Sequence, residues 1–420
     1  MKLKKINPKQ IVDQSVTIPG SKSISHRMLI CASLAKGWSD IENLLLSEDI
    51  RLTMKALTAM GAVIEDVDQT LFRVNGFNGF PQKNDTDIYL GNAGTSMRLL
   101  AGIAGLGSTR YTLTGDARMC ERPMNELLDA LNQLNISAVS DNAQGTPPVH
   151  ITGSDRTGGK VKIDCSKSSQ YLSSLLMMGA LLDNGLDITL DNPPVSSPYI
   201  DLTLDIMKKF NVNASQLSDL HYRVQGGQAY EPGRFAVEPD LSNAGYFWAI
   251  GAVTGRMIFV ENISLGSLQG DLNQVRILEQ MGCRLQVEEN RIGICGQSLK
   301  GVDVDMADTP DAVPAIAVVA SFAEGTTRIR NIGHLRVKEC DRIDAVSSQL
   351  MKLGVTVTQG DDYMEITGGG HNGGCIETFN DHRIAMAFSI PGLLVDGIEI
   401  ENPSCVEKSF PNYWDIFESL

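Results

Sequence analysis

A chain of 420 residues is longer than one ordinary hydrophobic core supports, so two domains are expected. Its formal net charge of −14 excludes nonspecific binding to nucleic acid or to an anionic membrane, and confines any anion site to a local reversal of sign. Eight scattered cysteines with no Cys-x-x-Cys give no support for a zinc site. With no apolar signal core after MKLKKINPKQ and no apolar run near the roughly 18 residues of a membrane span, they point to a reduced, soluble, cytoplasmic protein.

In chain order, KINPKQIVDQSVTI (5–18) reads as a segment that supplies strands to a later part of the chain and makes one domain discontinuous. From residue 20 onward three signals recur about every seventy residues. Apolar helix-like runs close on Gly37, Gly107, Gly185, Gly255, Gly325 and Gly397. Amphipathic helices close on Gly61, Asn135, Asn211, Gly282 and Gly354, and strands end on Gly76, Gly153, Gly226, Gly296 and Gly368. Series in phase at so long a period mean a sizeable α/β unit repeated six times, each copy with strands and two helices. The copies group three and three about the Gly/Pro-rich QGGQAYEPGRF (225–235), and the sixth lacks the second and third signals after Gly397.

Each apolar helix opens on a polar stretch: GSKSISHR, GNAGTSMR, CSKSSQY, PDLSNAGY, DTPDAV and FNDHR. Ser, Thr, Asn and Asp there are ordinary caps, and Asp240, Ser242 and Asn243 are read as nothing more. Cations are different, because a helix N-terminus already presents positive charge. Lys22, His26 and Arg27, then Arg98, then His382 and Arg383 sit at such ends, which is favourable only with an anion between. The loops GDARMCERPM, with Arg118 and Arg122, and HLRVKECDRID, with Arg336, Lys338 and Arg342 beside Glu339 and Asp341, continue the theme, as does Lys408. Taken alone, RVKECDR reads as a solvated charge-mixed face and Cys120 as a bystander without a fixed partner. The phosphate-loop, dinucleotide, nucleophile-elbow and H-E-x-x-H signatures are not met. These residues imply sites for small polyanions; they do not name a reaction.

As a set, PGSKSISHR, LGNAGTSMR, GDARMCERPM, SSQYLSSLLM, PDAVPAIAVVA, RVKECDRI, NDHRIAMAFS and KSFPNYW resemble the 5-enolpyruvylshikimate-3-phosphate synthase family. The resemblance implies transfer of the enolpyruvyl group from phosphoenolpyruvate to the 5-hydroxyl of shikimate 3-phosphate, without cofactor or metal, by a monomer needing neither nucleic acid nor membrane. It also implies an α/β fold of two inside-out domains, each of three βαβαββ repeats, with the active site in the interdomain cleft. Residues 1–18 with 236–420 would form the phosphoenolpyruvate side and carry the catalytic carboxylates, and 19–235 the shikimate 3-phosphate side.

By motif, Lys22, Ser23, Arg27, Ser168, Ser169, Gln170, Ser196, Tyr199, Asp311, His334 and Lys338 would hold shikimate 3-phosphate. Lys22, Asn92, Gly94, Thr95, Arg122, Gln170, Arg342, Arg383 and Lys408 would surround phosphoenolpyruvate. Asp311 resembles the base for the 5-hydroxyl, Glu339 the acid for the methylene carbon, and Lys22 an aid to the leaving oxygen. Counting Lys22, Arg27, Arg122, Lys338, Arg342, Arg383 and Lys408, less Asp311 and Glu339, against the substrates predicts an empty site that repels itself and stays open. His334 stands where many members have Asn, and Leu99 where many have Pro, which implies blunted inhibition by glyphosate. Two alternatives stay open: the sister UDP-N-acetylglucosamine enolpyruvyl transferases, and a noncatalytic polyanion binder. The sister enzymes carry a Lys-Asn pair in place of Lys22-Ser23 and a cysteine where this chain has Ala117. A binder would have lost Asp311 or Glu339.

Overall fold

The computed structural model describes residues 2–82, 86–153 and 155–420. The chain divides into two compact units, one of residues 20–237 and one of residues 1–19 with 238–420. Among the described residues the strands form six small sheets, three in each unit.

In the unit of residues 20–237, each sheet follows one plan: a parallel pair, then two antiparallel steps. The first runs Arg234–Ala236, Lys36–Glu42, Leu71–Phe77, Val63–Asp66; the second Thr86–Tyr89, Arg110–Thr114, Val149–Thr152, Ser137–Ser140; the third Gly159–Ile163, Leu186–Leu190, His221–Val224, Ala214–Ser218. A parallel step needs a crossover, and each crossover inside a repeat is a helix: Gly94–Ala104 in the second and Gln170–Gly179 in the third. These two helices and Lys22–Leu34 are buried on nearly every face, and the polar residues they carry are buried with the apolar ones. The second helices, Glu48–Ala59, Asn125–Gln133 and Pro198–Lys209, bury one face only.

The other unit repeats the plan. Gln14–Val16 pairs parallel with Ile258–Glu261, followed by Arg291–Cys295 and Arg284–Glu288; Asp303–Asp305 pairs parallel with Thr326–Arg330, followed by Met364–Thr367 and Thr356–Gln359. In the last sheet Gly374–Ile376 pairs parallel with Ile398–Glu401, and Leu3–Ile6 lies antiparallel on its far side. The N-terminal segment thus supplies one strand to the fourth repeat and one to the sixth, which accounts for the strand signal the sixth lacks in its own sequence. Its buried helices are Leu241–Thr254, Val313–Ser321 and His382–Ser389.

The strand-ending glycines have a steric reason. A Cβ on Gly76 would lie 2.2 Å from the carbonyl oxygen of Ala35, and one on Gly296 would lie 1.7 Å from that of Ala252. At the same place in the first five repeats, at Gly76, Gly153, Gly226, Gly296 and Gly368, the third strand passes directly against the end of the buried helix. Only glycine allows that approach, so the period is written in glycines. Among the described residues, no helix is long and apolar enough to cross a membrane.

Candidate active site

In the unit of residues 20–237 the polar residues gather at the starts of the three buried helices. Neither Ser21 ahead of Lys22–Leu34 nor Ala93 ahead of Gly94–Ala104 caps its helix with a side chain, so side-chain oxygens do not occupy the first N–H groups there. At the third helix the Ser168 hydroxyl accepts from the Gln170 backbone N–H at 3.3 Å. Ser168, Ser169 and Ser196 are all buried, and Ser196 is held at φ +54°, a left-handed conformation that serine seldom adopts.

Arg27 is 1 % exposed. Its Nε donates to Thr203 Oγ1 (2.8 Å), and its terminal nitrogens donate to the carbonyls of Ser23 (3.0 Å) and Tyr199 (3.2 Å) and to Ser173 Oγ (3.2 Å). All four acceptors are neutral. No carboxylate among the described residues lies within ion-pair distance of Arg27. Burial pulls its pKa down to about 10, only partly opposed by Tyr199 and Cys31. A buried cation held without a counter-ion is expensive, and the groups around it suit an anion that arrives from solution.

Lys22 has a partner of its own: Nζ lies 3.1 Å from Asp49 Oδ2, in the first turn of Glu48–Ala59. Sequence reasoning passed over Asp49, which reads as an ordinary acidic residue at a helix start. His26 Nδ1 meets Thr53 Oγ1 at 2.8 Å, and Thr53 meets Ser96 at 2.7 Å, so this histidine belongs to a buried chain of hydroxyls.

Gln170 joins two helices, accepting from Arg98 at 3.0 Å and donating to Thr95 Oγ1 at 3.0 Å. Arg122 donates to Asn92 Oδ1 (3.0 Å) and to its carbonyl (3.3 Å), and the guanidinium lies over Gly94. A Cβ on Gly94 would come within 2.6 Å of both terminal nitrogens of Arg122. Leu99 is fully buried, its carbonyl accepting from Ser174 at 3.1 Å. The Cys120 thiol faces the Gly115 carbonyl at 3.9 Å.

In the other unit a second cluster forms around Arg342, which is 1 % exposed. Its Nε and one terminal nitrogen donate to Asp381 (2.8 and 3.3 Å), the other terminal nitrogen to Asp311 Oδ1 (2.9 Å), and Glu339 Oε2 accepts at 2.7 Å. Arg383 takes the second oxygen of Asp311 at 2.7 Å and reaches Ser242 Oγ (3.1 Å) and the Tyr246 hydroxyl (3.4 Å). Burial works against both charges, but the carboxylates outweigh it: Asp381, Glu339 and Asp311 hold Arg342, and Asp311 holds Arg383, above the usual arginine range. Around Arg342 and Arg383 the expectation of an empty site that repels itself is therefore corrected, because Asp381 joins Asp311 and Glu339 there. The carboxylates neutralise these arginines.

Other readings divide. Within RVKECDR, Arg336 pairs with Asp341 (2.7 Å) and with the carbonyls of Gly360 and Asp361 as a partly solvated brace, whereas Glu339 and Arg342 turn inward. Asp240 does cap its helix, but Ser242 also receives Arg383, so the reading of Ser242 as only a cap is corrected. Sequence reasoning also passed over Asp381 and Tyr246. The FNDHR motif contained Asp381, though as a cap, and Asp381 does accept from the Arg383 backbone N–H at 2.9 Å. Lys408 is buried at the end of Pro403–Lys408, and Lys338 is half-buried just after Gly333–Val337.

His334 is neutral. Burial lowers its pKa to about 3, Lys338 and Arg342 add to that, and Asp311 opposes it. Its Nε2 is buried without a protein hydrogen-bond partner among the described residues. Because the folded pKa lies below the unfolded one, the unfolded chain binds more protons between about 6.5 and 3, and stability falls as pH drops through that window. The His334 imidazole resonances should hold still from pH 8 to 5 by NMR; a midpoint near 6.5 would contradict this environment.

A family model described as EPSP synthase (3-phosphoshikimate 1-carboxyvinyltransferase) matches residues 6–417. The 3-phosphoshikimate 1-carboxyvinyltransferase of Colwellia psychrerythraea is 41% identical over 414 residues, covering 98% of this chain and 97% of the relative. That of Shewanella amazonensis is 41% identical over 421 residues, covering 99% and 98%. The solved EPSP synthase of Acinetobacter baumannii superposes with a TM-score of 0.84 at 30% identity, covering 100% of this chain and 98% of that one. The enolpyruvyl transferase NikO from Streptomyces tendae, at 17% identity and a TM-score of 0.78, shares the fold.

Proposed function

Because the chain belongs to the EPSP synthase (3-phosphoshikimate 1-carboxyvinyltransferase) family, we propose that it transfers the enolpyruvyl group of phosphoenolpyruvate to the 5-hydroxyl of shikimate 3-phosphate, releasing phosphate. The observation that carries this reading is the Arg342 cluster. Two carboxylates, Asp311 and Glu339, share one buried guanidinium, and a second arginine binds the free oxygen of Asp311. An acid and a base set beside two fixed cations are what addition to an anionic enol ester requires.

Asp311 takes the proton of the 5-hydroxyl as that oxygen bonds to the central carbon of phosphoenolpyruvate, and Glu339 gives a proton to the methylene carbon. The tetrahedral adduct then breaks its bond to phosphate as the new methyl group returns a proton to Glu339, left ionised by the first step. Lys22 supplies positive charge at the departing oxygen. Arg27, Ser23, Ser168, Ser169, Ser196 and Tyr199 hold shikimate 3-phosphate together with Lys338 and His334. Arg122, Arg342, Arg383, Lys408, Gln170, Asn92, Thr95 and Gly94 hold phosphoenolpyruvate. The chain acts in the cytoplasm as a monomer, as its net charge of −14 and its family suggest.

Gly94 gives a direct test of that assignment. In Gly94→Ala the new methyl group must displace the Arg122 guanidinium, so KM for phosphoenolpyruvate should rise about tenfold or more while KM for shikimate 3-phosphate moves little. Equal changes in both constants would place Arg122 elsewhere in the reaction. The activity itself is tested by ³¹P NMR of phosphoenolpyruvate with the chain and one acceptor. Inorganic phosphate should appear with shikimate 3-phosphate and not with UDP-N-acetylglucosamine; the reverse result would make the chain a member of the sister activity.

A further inference from the structure

The three carboxylates on Arg342 are not equivalent. The Asp381 side chain is 0% exposed and also accepts the backbone N–H of Arg383 as the cap of His382–Ser389. The Cys340 thiol faces the same carboxylate at 3.5 Å. Asp381 cannot leave Arg342 without uncapping the helix that carries Arg383. Asp311 and Glu339 are different: their side chains are 21% and 10% exposed, and each meets Arg342 from a partly open position, at 2.9 and 2.7 Å.

We propose that Asp381 is the permanent counter-ion that positions Arg342, and that Asp311 and Glu339 are exchangeable counter-ions which phosphoenolpyruvate displaces, so that this substrate releases its own base and acid. The proposal rests on the reading that Arg342 and Arg383 hold phosphoenolpyruvate.

The donor count explains the exchange. A guanidinium has five N–H groups in a planar fork. Asp381 occupies the Nε side, and Asp311 and Glu339 sit on the two terminal nitrogens, so the forked edge an incoming anion would use is already taken. A carboxylate or phosphate that binds there bidentately must replace them. Once replaced, Asp311 loses its bond to Arg342, a cation that favours its ionised form, and becomes a stronger base for the 5-hydroxyl proton. Glu339, relieved of the same cation, takes a proton from solvent more readily and is then armed as the acid. No other reagent is needed. The carboxylates guard the arginines until the substrate arrives, which also keeps the base silent in its absence.

The two kinds of counter-ion predict opposite signs. Phosphoenolpyruvate is titrated by calorimetry into the full chain without shikimate 3-phosphate, for the wild type, Asp311→Asn, Asp381→Asn and Arg383→Gln. Removing the competing charge in Asp311→Asn should lower Kd at least about tenfold, or bring binding into view where the wild type shows none. Asp381→Asn should raise Kd about tenfold while Kd for shikimate 3-phosphate stays unchanged. An Asp381 that served only to hold the fold would lower the melting temperature and leave the selectivity between the two substrates untouched, which would overturn its role. If Asp381→Asn does not fold, the Asp311→Asn titration decides alone: binding no tighter than wild type, or undetectable in both, overturns the exchange. Arg383→Gln separates the two layers of the argument. If it leaves Kd unchanged, the arginine assignment itself is wrong; if it weakens binding while Asp311→Asn does not tighten it, only the exchange fails.

Discussion

Asp311→Asn and Glu339→Gln should each lower kcat by about 10²- to 10⁴-fold while the chain still folds and still binds both substrates. Each amide keeps an oxygen that can accept from Arg342, so the cluster retains most of its bonds, but neither can take or give the proton that its step needs. The two losses should not add. Both residues serve formation of the same tetrahedral adduct, and groups that act as a unit are strongly non-additive. The double variant should therefore be about as slow as the slower single one. Rapid-quench measurement of the adduct checks the assignment: neither variant should accumulate it. If Asp311→Asn formed the adduct at the wild-type rate, another group would be the base.

Arg27→Met should separate stability from binding. Burial that brings the Arg27 pKa to about 10 from 12.5 corresponds to a cost on the order of 3 kcal/mol for keeping the charge inside the unliganded unit. Against this stand four hydrogen bonds to neutral acceptors, each worth about 1 kcal/mol net. The two sides nearly cancel. Methionine fills much of the space, and the abandoned hydroxyls keep partners, since Ser173 and Thr203 already bond each other at 2.8 Å and Thr203 bonds the Tyr199 carbonyl at 2.7 Å. The unliganded stability should thus shift by no more than about 1 kcal/mol in denaturant titration. Affinity for shikimate 3-phosphate should fall by about 10² or more, since a charged bidentate contact worth roughly 3 kcal/mol or more is lost. A variant that unfolds easily yet binds normally would show that Arg27 is a structural cation.

The repeat was legible in sequence because its punctuation is steric. Gly76 and Gly296 stand where any side chain would collide with a carbonyl, so the architecture leaves an unavoidable residue at a regular interval. The cationic ends of the helices were legible for a similar reason: Lys22, Arg27 and Arg383 occupy positions that local electrostatics disfavours. Their neutralisation was not legible. Asp49 lies 27 positions from Lys22, and Asp381 lies 39 from Arg342, so tertiary folding brings each acid to its base and no spacing announces the pair. Asp381 was further hidden by its second task, since a helix cap explains an aspartate there without reference to catalysis. A charge count that set only Asp311 and Glu339 against the cations therefore overstated the charge around Arg342 and Arg383, since it missed Asp381, and it left Arg27, whose surroundings are neutral, undistinguished from the rest.

The most direct measurement is a crystal structure of the chain with shikimate 3-phosphate bound. One of the substrate's anionic groups should lie within hydrogen-bond distance of the Arg27 guanidinium, with the buried serines 168, 169 and 196 around its phosphate. A bound substrate that left Arg27 facing only its neutral neighbours would mean that a buried, uncompensated cation is no guide to where this enzyme receives its acid.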